Sequence, residues 1–208
     1  MHFKFTLTLL VIIAGCFGSA RADIPDPPEC EIWLAYDGPE IPALCVYPNG
    51  QGPTFTQSNL PNGEVVDATV YLEVRDGFGV PIVGFPREDI WITSYDDGLV
   101  FCNGGGSPDI ETDADGITYW TSPPQAGGSS TTNNYVYVYG SPSTYVDLDF
   151  HFNSPDITGD GTISLADVGL FSSDYFGAYQ FRSDFFYDGE LNLSDVGRLA
   201  YAIGSSCP

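Results

Sequence analysis

From about residue 43 to residue 152 the chain alternates apolar and polar side chains. Val66, Ala68, Val70, Leu72 and Val74 lie on one side, and Asp67, Thr69, Tyr71, Glu73 and Arg75 on the other. A period of two predicts a strand with one buried face. Ile90-Trp91-Ile92, Leu99-Val100-Phe101-Cys102, Ile117-Thr118-Tyr119-Trp120, Tyr135 to Tyr139 and Val146 to Phe152 predict further strands. Asp76-Gly77, Asp96-Asp97-Gly98, Gly104-Gly105-Gly106, Asp115-Gly116 and Gly127-Gly128 punctuate them as turns. About seven short strands at this spacing predict an antiparallel sandwich. After residue 153 the pattern changes, and Leu165 to Asp174 and Leu193 to Ile203 predict two short helices.

Each of those helices follows an acidic loop. Residues 156–167 place oxygen-bearing side chains at loop places 1, 3, 5, 9 and 12, glycine (Gly161) at 6 and an apolar residue (Ile163) at 8. That is the spacing of an EF-hand calcium loop, in which a hard cation gathers oxygens and the glycine takes the sharp turn. Residues 184–195 repeat it 28 positions later, and both loops run on into Asp-Val-Gly, as Asp167-Val168-Gly169 and Asp195-Val196-Gly197. A repeat of loop plus helix is a stronger signal than either copy alone.

The chain has 208 residues and a formal charge of −22. So acidic a chain excludes nucleic acid as a partner, which would need clustered Lys and Arg. Residues 1–22 read as an export signal: Lys4, then the apolar run Phe5 to Ile13, then the cleavage site Ala20-Arg21-Ala22. Ile13-Ala14-Gly15-Cys16 offers lipoprotein anchoring as an alternative. The expected location is extracellular or cell-surface, with no transmembrane segment, since the apolar run is shorter than the ~20 residues of a span. Beyond the signal no lysine remains, and His151 is the one histidine. Schiff-base chemistry and a phosphate-loop lysine are excluded, and a Ser/His/Asp triad could use only His151. That histidine alternates with apolar residues and is expected to be solvated beside Asp147 and Asp149. The acid pairs Asp96/Asp97 and Asp113/Asp115 sit in turns, where Asp serves the backbone. No enzymatic activity is expected.

Cys30, Cys45, Cys102 and Cys207 form an even set in an exported chain. Three pairings are open; Cys45–Cys102 and Cys30–Cys207 are the expected ones. Residues 23–42 are rich in proline and acid and read as an extended leader.

Two resemblances add to these readings. Residues 68–84, with Asp76-Gly77-Phe78-Gly79-Val80-Pro81-Ile82-Val83-Gly84, and Thr112-Asp113-Ala114-Asp115-Gly116-Ile117 resemble the turns of bacterial immunoglobulin-like domains of invasin type. The duplicated loops resemble the type I dockerin, a calcium-dependent module that docks secreted proteins onto cohesin modules. Together they imply an immunoglobulin-like sandwich over residues 43–152 followed by a small helical dockerin-like module over 153–208. The dockerin resemblance implies calcium held by Asp156, Thr158, Asp160, Thr162, Ser164 and Asp167, and by Asp184, Asp188, Glu190, Asn192 and Asp195. It implies partner contacts at Leu165, Ala166, Leu193 and Ser194. Phe186, at the third place of the second loop, offers no oxygen, so that site should be the weaker. The function expected is non-enzymatic docking to a cohesin-like scaffold partner. The alternative is a secreted carbohydrate-binding module carrying the same dockerin, with Tyr135, Tyr137 and Tyr139 as a polysaccharide-binding face.

Overall fold

A computed structural model describes residues 24–96, 98–132, 134–138 and 145–208. The export signal, Cys16 and Tyr139 lie outside the described residues. The strands are β1 (Glu31–Leu34), β2 (Ala43–Cys45), β3 (Ser58–Asn59), β4 (Val65–Val66), β5 (Val70–Glu73), β6 (Ile90–Ser94), β7 (Leu99–Phe101), β8 (Ile117–Trp120), β9 (Ala126–Gly128), β10 (Asn134–Val138), β11 (Tyr145–Leu148) and β12 (His151–Asn153). Two helices follow, α1 (Leu165–Tyr175) and α2 (Leu193–Ala202).

The strands form four small sheets, ordered β1-β5-β8, β11-β10-β6, β12-β2-β3-β4 and β7-β9. The pair β12–β2 is parallel and the other pairs are antiparallel. The main core gathers the apolar faces of these strands, including Val70, Leu72, Ile90, Ile92, Val136 and Val138. Phe55 packs edge-on against Phe150 and Phe152 at 5.4 and 6.3 Å.

The expected architecture is corrected here. The described residues form a small sheet-rich domain with two short helices, not an immunoglobulin-like sandwich followed by a helical dockerin-like module with EF-hand loops. An EF-hand flanks its loop with two helices. Here β12 leads into the first loop, and a 3-10 turn, Phe181–Ser183, leads into the second. A second apolar cluster mixes Cys45 and Tyr47, from β2 and just after it, with Ile163, Phe171, Phe185 and Leu199 from the loops and helices. The parallel β12–β2 pair carries the chain from the sheets into the first loop, and Val46 N–H donates to Asn153 O at 2.8 Å.

Two strands expected to be continuous are broken, each for a local reason. Asp67 Oδ1 accepts Thr69 N–H at 3.0 Å and the Thr69 hydroxyl at 2.7 Å, a side-chain turn that competes with the ladder. It separates β4 from β5. At 149–150 the chain changes sheets, so β11 pairs with β10 while β12 pairs with β2. This crossing moves His151 out of its expected solvated place. It is half-buried, with Nδ1 3.1 Å from the Tyr187 hydroxyl and its ring against Phe181, and burial lowers its pKa. Within the expected leader, β1 pairs in register with β5, Glu31 opposite Glu73 and Leu34 opposite Val70.

The cysteine pairing is corrected too. Cys102 is bonded to Cys207, while Cys30 and Cys45 are free and buried. They sit in different apolar clusters, and burial pushes the Cys45 thiol up to about 12.

Candidate functional site: two acidic loops

The helices start where the sequence places them because each loop ends in a reciprocal cap. Ser164 Oγ accepts Ala166 N–H at 3.1 Å, and Asp167 Oδ2 accepts Ser164 N–H at 2.8 Å. In the second loop Asn192 Oδ1 accepts Ser194 N–H at 2.7 Å, and Asp195 Oδ2 accepts Asn192 N–H at 2.9 Å. The closing carboxylate of each loop is thereby fixed on the first turn of its helix.

The opening carboxylates are fixed by a matching pattern. Asp156 accepts Asp160 N–H on Oδ1 at 3.2 Å and Gly161 N–H on Oδ2 at 2.8 Å. Asp184 accepts Asp188 N–H on Oδ1 at 3.2 Å and Gly189 N–H on Oδ2 at 2.9 Å. The wrap needs left-handed backbone at the same place in both copies, Gly161 at φ +84° and Gly189 at φ +83°. Asp156, Asp167, Asp184 and Asp195 each have 0 % exposure. Among the described residues no arginine pairs with any of them. Burial is the largest influence on Asp156 and Asp195 and raises both pKa values.

In the first loop three expected ligands converge. Thr158 Oγ1 lies 3.1 Å from Asp156 Oδ1 and 3.0 Å from Asp167 Oδ1. Oxygens from places 1, 3 and 12 therefore share one small volume, a donor set that suits a hard cation. Ser164 Oγ is 3.3 Å from Asp167 Oδ2. Asp160 and Thr162 stand on the exposed rim, with Asp160 Oδ1 taking Thr162 N–H at 2.9 Å. Among the described residues no set of three or more His, Cys, Asp or Glu side chains is gathered as a metal cluster. A calcium ion here would draw equally on hydroxyl and carbonyl oxygens.

The second loop is less open. Tyr179 donates its hydroxyl to Asp184 Oδ2 at 2.8 Å. Asp188 Oδ2 is 3.3 Å from Asn192 Nδ2, and Glu190 is exposed. Phe186 lies under the Arg198 guanidinium, 3.7 Å from its ring centre, and Arg198 also donates to Phe185 O at 2.7 Å. An aromatic ring stacked with a cation thus takes the place at which the first loop has a ligand oxygen. The Phe186 gap is legible in the sequence; Arg198 and Tyr179 are not, because nothing in their spacing marks them.

Both loops are seated on the sheets. Gly128 N–H donates to Asp156 O at 2.6 Å, and the tail closes the other side, with Cys207 N–H donating to Gly161 O at 2.9 Å. The second loop receives Gly63 N–H on Tyr187 O at 3.2 Å and Asn153 Nδ2 on Asp184 O at 2.5 Å. The expected partner residues are on the open side: Leu165 is 82 % and Leu193 78 % exposed, and Ala166 and Ser194 are exposed beside them. Next to Leu193 a groove of about 270 Å³ runs between the helices, lined by Val168, Phe171, Tyr175, Phe176 and Val196.

Two of the three tyrosines of the expected polysaccharide-binding face are described. Tyr137 stacks on Trp91 at 4.3 Å and Tyr135 packs on Tyr95 at 4.4 Å. No known family model matches the chain, and no curated protein or solved structure matches it significantly.

Proposed function

We propose that this is an exported, non-enzymatic protein that binds calcium in its two acidic loops and, so loaded, docks through the Leu165/Leu193 face onto a cohesin-like scaffold module. The observation that carries the reading is the burial of four carboxylates without a cationic partner among the described residues, in two copies of one hydrogen-bond pattern. Buried unpaired carboxylates are costly, and a bound dication is a standard way to offset that cost. The exposed leucines occupy the same place in both copies, the first helical residue after each cap.

Calorimetry on the full chain, titrated with calcium, tests the first half. One tight and one weaker site are expected, with the tight one lost in Asp167→Ala and the weak one in Asp195→Ala. Absence of calcium binding sinks the reading. Binding to an immobilised cohesin panel with and without chelator tests the second half. Leu165→Asp with Leu193→Asp should abolish capture while leaving calcium binding intact.

A further inference from the structure

A second groove, with a volume of about 710 Å³, lies elsewhere, between β6 and β7. It exists because these successive strands join different sheets, β6 pairing with β10 and β7 with β9. Its floor is rigid. Gly106 O accepts both Ile92 N–H at 3.0 Å and Trp120 Nε1–H at 2.9 Å, and Cys102 at its base is tied to Cys207. A methyl group on Gly106 would press on Ile92 O and the Phe101 ring, so the floor requires glycine.

Trp91 forms one wall. Tyr137 covers one face of its indole from the β10 side, opposite Trp91 in the β6–β10 register. Trp91 also lines the groove, together with residues of β7. Half-buried Phe101 lines it from β7, and Glu88, Thr93, Asn103 and Ser107 supply polar groups. Among the described residues no lysine or arginine lines it. An aromatic side chain beside hydrogen-bonding groups, with the one lining acid, Glu88, neutralised by Arg87 at 3.5 Å, matches a ligand that is apolar on one side, hydroxylated at its edge and uncharged. We propose that this groove binds a neutral saccharide, stacking a pyranose C–H face on Trp91 and taking its hydroxyls with Glu88, Thr93, Asn103 and Ser107. The other aromatic row, Trp33, Tyr71 and Tyr119 on β1, β5 and β8, stacks on itself, Trp33 lying 5.5 Å from Tyr71. The proposal is independent of calcium binding and docking.

The test is affinity electrophoresis of the full chain through gels containing hydroxyethylcellulose, mixed-linkage β-glucan, galactomannan or polygalacturonate. Retardation is expected in at least one of the three neutral polymers and not in polygalacturonate. Trp91→Ala should weaken it about tenfold or more, and Trp33→Ala should leave it unchanged. Asn103→Ala, at an exposed position outside the core, should also weaken binding and serves if Trp91→Ala fails to fold. No retardation in any neutral polymer, retardation in polygalacturonate, retardation unchanged by Trp91→Ala in a folded variant or by Asn103→Ala, or loss on Trp33→Ala, would each overturn the proposal.

Discussion

Gly127 has no side chain, and the space a methyl group would fill belongs to the Asp156 carboxylate. Gly127→Ala therefore forces that carboxylate, or β9, to move, at a cost of about 1–3 kcal/mol typical of overpacking. Calcium affinity at the first loop should fall with the second loop unaffected, a difference that calorimetry resolves. Gly169→Ala is the control, because nothing lies within 4 Å of a side chain there and the helix should gain slightly. The glycine pair at 127–128 is legible in the sequence only as a turn signal. That it is the seat of a carboxylate 29 positions away depends on β9 lying beside the first loop. Phe186 shows the same division: its lack of an oxygen is plain in the sequence, but its stacking under Arg198 is not.

Among the elements, α1 is held at both ends by aspartates of opposite legibility. Asp167 belongs to a cap readable from Ser164-Leu165-Ala166-Asp167. Asp174, near the other end, is not marked by any motif, yet it accepts Arg182 Nε and Nη2 at 2.8 Å each and the Ser183 hydroxyl at 2.7 Å. It ties α1 to the turn that opens the second loop. The Arg182 guanidinium holds the Asp174 carboxyl below the usual carboxylate range. The unfolded chain therefore binds its proton at higher pH than the folded one does. The stabilisation is fully present above about pH 4 and is lost as pH falls through the lower folded value. Asp174→Asn should cost about 1–2 kcal/mol at pH 7, the low end for charged hydrogen bonds, because Arg182 is 40 % exposed. The gap between wild type and variant in urea midpoint should narrow below about pH 4.

At the scale of the molecule, the acidic loops are part of the sheet-rich domain. The first is clasped between β9 and the C-terminal tail, and the tail is bonded through Cys207 to Cys102 beside β7. Calcium removal should therefore lower the melting temperature of one cooperative transition, with the near-ultraviolet signal of the sheet tryptophans and the far-ultraviolet helix signal falling together. A separate calcium-insensitive transition of the sheets would refute this coupling. Replacing Cys102 and Cys207 by serine opens a cross-link spanning 105 residues, worth up to about 5 kcal/mol on the chain-entropy argument. The loss should appear in that same transition.

The sequence by itself determined what is local: most strand positions, both helix starts and the duplicated acidic loops. Each depends on side-chain period or on hydrogen bonds spanning a few residues, which short spacing records. Only the tertiary structure decided that Val146 to Phe152 serves two sheets, that β1 fills the expected leader, and that Cys102 bonds Cys207. It alone decided that a shared apolar cluster and the parallel β12–β2 pair join loops to sheets. Those outcomes depend on which surfaces meet across long separations. Apolar faces carry no address, and several partners could bury them equally well until packing, strand register and chain connectivity select one.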